Sequence, residues 1–276
     1  MSINYQILKK RYLNLFDYNE EYFNSIMTDV LFAYSEIAEI LEKNKINNVL
    51  EVGSGTGVLI NVLKDNFKNI KFTGLDPNQS GFHNYEKISK KLLQNNDSIN
   101  VIKSPIGKFE TKEKYDLIFS FNVFEHIESQ SEYISKTNEL LAVNGKNIIF
   151  APNYDFPYEP HFILPIIINK KITHTLFSRI IKDHETKTKE EGLWNALNFT
   201  GKKGIEKILT ANNCKYFFDY GIKKKMLDRV INDKTFRKRQ GFASILAIIS
   251  RFLFLDKILF DFFKIPFPYM KLTIVK

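Results

Sequence analysis

Cysteine is nearly absent from this sequence: Cys214 is the only one in 276 residues. No intrachain disulfide can form, which fits a reducing compartment. Long apolar runs are missing too. The longest candidate, residues 240–250, is interrupted by Arg251 after eleven residues, whereas a membrane span needs roughly 20. Residues 1–11 hold no apolar stretch of the signal-peptide kind. A cytoplasmic protein is therefore expected, with peripheral attachment to a membrane as the variant. There is no internal repeat and no low-complexity tract. No His, Cys and Asp grouping has the spacing of a metal site, so no metal is expected.

What is present is the composition of a globular protein, 44% hydrophobic and 26% charged, with 25 Phe and 13 Tyr. The net charge of +9 is unevenly placed. From Ile222 to Lys276 there are thirteen Lys or Arg against four acids, while residues 1–221 balance at 27 of each sign. Such asymmetry suits an anionic partner (a membrane surface, a phosphorylated substrate or a nucleic acid), and equally a solvated basic face.

Hydrophobic periodicity places an amphipathic helix over 20–43, with Phe23, Ile26, Met27, Val30, Leu31, Tyr34, Ala38 and Leu41 at i, i+3, i+4 spacing. Short β-rich runs then alternate with helix-length segments. The runs are 48–52, 70–75, 99–102, 115–120 and 146–151; the helices are 57–67, 81–95 and 129–142. This alternation predicts a parallel sheet with right-handed crossovers, a doubly wound α/β fold. After Ala151 the period is lost for about fifty residues, punctuated by Pro152, Pro157, Pro160 and Pro165. A helix over 200–213 with Thr200 as N-cap follows, then a strand at 214–219 and a last strand at 270–275.

The most specific motif is Val49-Leu-Glu-Val-Gly-Ser-Gly-Thr-Gly57. A strand ends, and the chain turns through Gly53, Gly55 and Gly57 into a helix. Glycines there allow positive φ and close approach of backbone to a ligand, and the helix N-terminus offers unpaired N–H groups. Asp76, in Gly74-Leu-Asp-Pro-Asn78, stands where a doubly wound fold puts the acid that accepts ribose hydroxyls. Bland readings exist: Glu51 as a capping or surface acid, Asp76-Pro77 as an ordinary turn pair. Two further stretches are Tyr115-Asp-Leu-Ile-Phe-Ser-Phe-Asn-Val-Phe-Glu-His-Ile127 and Leu140-Leu-Ala-Val-Asn-Gly-Lys-Asn-Ile-Ile-Phe150.

Taken in order, these four elements resemble the class I S-adenosylmethionine (SAM) dependent methyltransferases, the broad group that includes ubiquinone-biosynthesis O-methyltransferases and many natural-product enzymes. The G-x-G-x-G spacing differs from the dinucleotide-binding G-x-G-x-x-G. The resemblance covers the core over 48–151 well and the rest loosely. It implies a Rossmann-like, mostly parallel seven-stranded sheet with helical cap insertions, SAM as cofactor and S-adenosylhomocysteine as product. It places cofactor contacts at Glu51, Gly53, Ser54, Gly55, Thr56, Gly57, Asp76, Pro77, Asn122 and Val123. Where many relatives carry an adenine-binding Asp, this chain has Ser104, so adenine falls to Ser104, Pro105 and Ile106. The implied layout is an N-terminal helical segment (1–46), a SAM-binding core (47–154), a cap insertion (155–199), a core helix and strand (200–221), a basic then apolar helical insertion (222–268) and a final strand (269–276).

Methyl transfer to oxygen needs a proton acceptor, and histidine is the economical one. The candidates are His126 and His161, each with a packing role as its bland alternative. His161 lies in the Pro-rich stretch 152–162, where Asn153, Tyr154, Tyr158 and Glu159 are candidate substrate contacts. Base N-methylation lacks its usual Pro-Pro-aromatic motif after the fourth strand, and pyrimidine C5 chemistry lacks a placed cysteine. The expectation is a small-molecule or lipid-linked acceptor, a glycan, lipid or metabolite precursor; an RNA substrate bound by the basic segment is the alternative. Residues 222–268 have two readings, a lipid-facing or lipid-cradling surface, or else a lid helix packed on the core or a dimer interface; the wide apolar face favours the second.

Overall fold

Two helices precede the first strand. In the computed structural model, which describes residues 3–77, 83–94, 100–188 and 190–276, these are α1 (Tyr5–Tyr12) and α2 (Glu20–Lys43). The α2 boundaries are those the periodicity gives. Asn19 caps it, its side chain accepting from the Tyr22 N–H at 3.0 Å, and Glu20 and Glu21 complement the helix dipole in the first turn. Helix α1 lies outside the periodic pattern of the sequence; Asn4 caps it, and Lys9, Lys10 and Arg11 occupy its last turn.

The sheet has seven strands in the order β3-β2-β1-β4-β5-β9-β8. They are β1 (Asn48–Val52), β2 (Lys71–Leu75), β3 (Asn100–Ile102), β4 (Tyr115–Phe121), β5 (Leu141–Pro152), β8 (Lys215–Phe218) and β9 (Tyr269–Val275). A separate ribbon joins β6 (Tyr158–Glu159) and β7 (Leu164–Pro165). Strand β1 pairs in parallel with β2 (Glu51 opposite Gly74) and with β4 (Glu51 opposite Phe119); β8 and β9 pair antiparallel. The crossover helices are α3 (Val58–Asn66), α4 (His83–Gln94) and α5 (Gln130–Leu140). Ends of the expected second helix at 81–82 and 95 lie outside the described residues. The doubly wound, mostly parallel architecture is thus the one the strand–helix alternation requires.

By contacts the chain forms two compact units, residues 1–121 with 136–147 and 276, and residues 122–135 with 148–275. The first is built on β1, whose Val49, Leu50 and Val52 are buried together with Leu117, Ile118 and Phe119 of β4, and on the apolar faces of α2 and α3. Here β5 begins at Leu141, five residues before the expected start. The residues left between the expected helix and strand, 143–145, are absorbed into the strand. Asn144 takes the left-handed φ of 63°, and Gly145 makes room: a Cβ on it would lie 2.9 Å from the carbonyl oxygens of Tyr115 and Ala142.

The second unit holds α6 (Lys170–Thr188), α7 (Leu193–Ala196), α8 (Lys202–Ala211), α9 (Gly221–Asn232), α10 (Lys234–Arg239) and α11 (Gly241–Phe252). Two expectations fail in it. Thr200 does not cap α8. The cap residue is Gly201, and the first N–H groups are satisfied from elsewhere: Lys202 N–H donates to Asn153 Oδ1 and Lys203 N–H to Asp155 Oδ2, both at 2.9 Å. A Cβ at Gly201 would collide with Asp155 at 2.3 Å, which is why a glycine stands there. Nor does the apolar segment after Gln240 pack on the core as a lid. Its large apolar side chains are exposed, Phe242 by 69% and Phe252 by 81%.

Candidate active site

In the first unit the glycine motif forms a cradle at the end of β1. Gly53, Gly55 and Gly57 take φ of 76°, 51° and 73°, all in the left-handed region that favours glycine. The N–H groups of Gly53 and Ser54 both donate to the Leu75 carbonyl, fixing the turn against the end of β2. Gly55 N–H donates to Asp76 Oδ2 at 2.7 Å, so one oxygen of that carboxylate is held by the motif. Gly74 is a glycine because a Cβ there would lie 2.8 Å from Ser54 Oγ. Pro77 and Ser104 are half-buried, Thr56 and Ile106 are buried and Pro105 is exposed. The Ser104 hydroxyl donates to the Pro105 carbonyl at 3.0 Å and keeps its lone pairs as acceptors.

This cradle contains polar atoms that folding leaves unsatisfied. Glu51 is 4% exposed, and its Oε2 and the Ser54 Oγ have no hydrogen-bond partner. Burial, with the Asp76 carboxylate adding to it, pushes the Glu51 carboxyl up to about 8. A buried acid held uncharged beside a glycine turn is a group awaiting a polar or cationic ligand.

In the second unit the loops that follow β4 and β5 bring two histidines together. Asn122 continues the chain from β4 with φ of 54°; its N–H donates to the Phe150 carbonyl and its Oδ1 accepts from Tyr269 Oη at 2.7 Å. Val123 leads into a 3-10 turn, Phe124–His126. Phe124 anchors that turn edge-on against Tyr133, and Asn198 clamps it by donating to the carbonyls of Phe124 and Ile127. The rings of His126 and His161 stand edge to face with centroids 5.3 Å apart.

Three further side chains complete the cluster. His161 Nδ1 lies 2.6 Å from Glu159 Oε1, and its Nε2 lies 3.9 Å from Glu125 Oε1. Glu159 is buried; Tyr154 Oη donates to its Oε1 at 3.2 Å and Phe162 N–H to its Oε2 at 2.7 Å. Glu125 is 2% exposed, and neither carboxylate oxygen has a hydrogen-bond partner. Burial works against the His161 cation, but the Glu159 carboxylate and then Glu125 overcome it and hold the imidazolium to about 9. Burial, then the charge on His161, depresses His126 to about 3, so its imidazole is neutral. Burial raises Glu125 to about 7 against the pull of His161. The cluster thus combines a fixed cation, a neutral imidazole and an acid poised near neutrality.

His126 and His161 are brought together as the sequence suggests. Glu159 and Tyr154, expected as substrate contacts, instead hold His161. Asn153 is 5% exposed and serves backbone groups: its Nδ2 donates to the Phe267 carbonyl, and its Oδ1 accepts from Asp155 and Lys202 N–H. Tyr158 stays half-buried, its hydroxyl 3.5 Å from Gln240 Oε1. Glu125 was missed, although it directly precedes His126; a carboxylate beside a histidine in a post-strand loop was the available signal. Asn198, in an aperiodic stretch, gave none.

A family model described as a methyltransferase domain matches residues 50–146. The chain is 26% identical over 204 residues to an uncharacterized protein of Mycobacterium tuberculosis, covering 73% of this chain and 69% of that one. It is 28% identical over 106 residues to malonyl-acyl-carrier-protein O-methyltransferase 2 of Ilyobacter polytropus, covering 38% of this chain and 39% of that protein. A solved plantazolicin methyltransferase, in complex with S-adenosylhomocysteine and a monoazolic desmethylPZN analog, aligns with 98% of this chain and 89% of its own at 14% identity and a TM-score of 0.49.

Proposed function

Because the chain belongs to the class I SAM-dependent methyltransferases, we propose that it transfers the methyl group of SAM to an oxygen of a small-molecule acceptor, a glycan, lipid or metabolite precursor. The observation that carries this reading is the cluster of buried Glu125 and Glu159 with half-buried His126 and His161 on the loops that leave two sheet strands at their C-terminal ends, where doubly wound folds place their chemistry.

The cofactor supplies an electrophilic methyl on a sulfonium and leaves as S-adenosylhomocysteine. The first unit suits it: a buried Glu51 carboxyl with an unpartnered Oε2, an unpartnered Ser54 hydroxyl and three left-handed glycines form a polar cradle without side-chain bulk. Asp76 is assigned to the ribose hydroxyls and Ser104 Oγ, an acceptor, to the adenine amine, with Pro105 and Ile106 against the ring. Gly53 to Gly57 and Pro77 complete the cofactor contacts of this unit. Glu51 is assigned to the cationic end of the cofactor.

In the second unit His126 takes the proton of the acceptor hydroxyl as the new O–C bond forms. Burial and the His161 charge keep its imidazole neutral, and the Glu125 carboxylate would have to compensate the charge that appears on it as the proton arrives. Glu159 and Tyr154 are positioning residues that act through His161. Tyr158 is assigned the acceptor contact, while Asn153 holds the loop behind it.

His126→Ala should lower kcat by about 10²–10⁴-fold with SAM affinity unchanged by calorimetry. Glu125→Gln should lower kcat in the same direction. Full turnover by His126→Ala would remove the proton-transfer reading. The basic segment gives the RNA alternative no comparable support, because the aromatics there are interspersed with aliphatic side chains rather than set out as a stacking platform.

A further inference from the structure

Helix α11 is turned the wrong way for a helix of a globular protein. Phe242, Ile245, Leu246, Ile249, Phe252 and Leu253 recur at i, i+3, i+4, i+7 spacing and so share one face, and that face is between 46% and 81% exposed. The opposite side carries Ser244, which is 4% exposed and donates to the Gly241 carbonyl, and Arg251, paired with the buried Asp256. Small and charged groups thus face inward and the large apolar groups outward. The outward character continues past the helix with Phe262 and Phe263, 77% and 63% exposed.

Helices α9 and α10, which pack against α11, bring the charge. Over residues 223–239 they carry eight Lys or Arg against Asp228 and Asp233; of the eight, Arg229 is buried against the Phe236 ring and takes no part in the surface charge. At the rim of the apolar surface Lys257 holds its Nζ 5.4 Å from the ring centre of Phe254, itself 63% exposed, the posture of a lysine whose stem lies along apolar groups while its charge stays in the polar layer.

We propose that this face docks on an anionic lipid bilayer, lying in the interface with its apolar residues below the headgroups and the α9–α10 cations among the lipid phosphates, so that the acceptor is one carried by the membrane. Only that last clause rests on the methyltransferase reading; the docking surface stands without it. An apolar stripe beside dense positive charge is the pattern of an interfacial helix. The twelve residues of α11 reach about 18 Å, too short for the roughly 30 Å hydrocarbon core, and no helix among the described residues is long and apolar enough to cross a membrane. A second copy of the chain fits less well. A two-fold contact on this face would set two strongly basic helix pairs side by side, and interface cores are depleted of charge. RNA fits less well because the continuous aliphatic residues of the stripe offer no π-face to a base.

The test is flotation of the full-length protein with phosphatidylcholine vesicles, with and without phosphatidylglycerol. Partitioning onto the anionic vesicles should exceed that onto the neutral ones by at least tenfold, since each Lys or Arg near such a surface contributes about fivefold. The double variant Ile249→Asp, Phe252→Asp changes exposed positions only. It should lose at least tenfold in partitioning while keeping its SAM affinity and melting temperature. The double variant Lys234→Glu, Lys238→Glu should bring anionic and neutral vesicles close together. Equal, weak partitioning of the wild type on both vesicles would overturn the proposal. So would undiminished partitioning of the Asp variant, or a wild-type dimer that the Asp variant converts to monomer without any lipid binding. Vesicle binding that persists when the membrane fraction accepts no methyl group would instead count against the acceptor assignment.

Discussion

His161 holds its Nδ1 2.6 Å from Oε1 of Glu159, a carboxylate with no exposed surface. A buried pair of this kind makes stability depend on pH in a definite direction. Burial resists the cation, yet Glu159 raises the His161 pKa to about 9 from an ordinary 6.5. Between those values the folded state keeps a proton that the unfolded state has lost, so the contribution is fully present below about pH 6.5 and disappears as pH rises through 9. The ceiling is about 3 kcal/mol at 1.36 kcal/mol per unit. Glu159→Gln removes the charge and keeps the shape. Denaturant melts at pH 6.5 and pH 9 should show the wild type losing stability between them and the variant losing clearly less; equal losses would show that the pair does not hold the proton.

Glu51 links cofactor binding to protons. Its carboxyl is uncharged at neutral pH because burial, helped by Asp76, raises its pKa to about 8. A cationic ligand favours the ionised form, so SAM binding at pH 7 should release up to one proton. Affinity should rise by at most about tenfold per pH unit up to pH 8 and level off above it. Calorimetry in buffers of different ionisation enthalpy reads the proton directly. Glu51→Gln should bind SAM with no proton release; unchanged release in that variant would move the linkage to another group.

These two sites differ in how much of them the sequence shows. The cradle is local: Gly53, Gly55, Gly57 and Asp76 stand at strand ends that a β-rich run and a glycine spacing define, so their position can be read from order along the chain. The cluster is not local. His126 and His161 are 35 residues apart; the charges of Glu159 and then Glu125 make His161 a cation against its burial, while His126 is kept neutral by its own burial and by the charge on His161. Burial of a charged residue has no periodic signature. Helix α11 fails for a related reason, since the spacing of Phe242, Ile249 and Phe252 fixes that they share a face but not which way the face turns. Thr200 fails as a cap because residues about 45 positions earlier, Asn153 and Asp155, reach the helix first.

Asn153 is the residue whose expected role changes most. Its side chain serves three backbone groups, of Asp155, Lys202 and Phe267, in a buried position. Asn153→Ala would leave those groups unpaired, each at about 1–3 kcal/mol where water cannot replace the side chain. The variant should lose about 2–4 kcal/mol of stability in denaturant melts. At a temperature where it stays folded, its KM for the acceptor should move less than twofold. A large rise in KM with little loss of stability would return Asn153 to the acceptor site.

The ligating atoms of Glu125, His126 and His161 lie within 4.8 Å of one another, near enough to surround a cation. We propose that a proton fills this role instead, on the ground that His161 Nδ1 is paired with Glu159 Oε1 at 2.6 Å. Glu159 holds His161 in its charged form, and an imidazolium offers no lone pair to a metal. The positive charge that Glu125 and Glu159 require is therefore already supplied, and a divalent ion would have to displace that proton. Exhaustive chelation should leave turnover within about twofold, with no metal retained in proportion to protein by elemental analysis. His161→Ala leaves Glu159 buried without its counter-ion, which costs about 3–5 kcal/mol when a buried pair is broken. That variant should unfold earlier, and zinc or manganese should not restore its melting temperature. Restoration by a metal, or loss of activity on chelation reversed by one, would turn the cluster from a proton device into a metal centre.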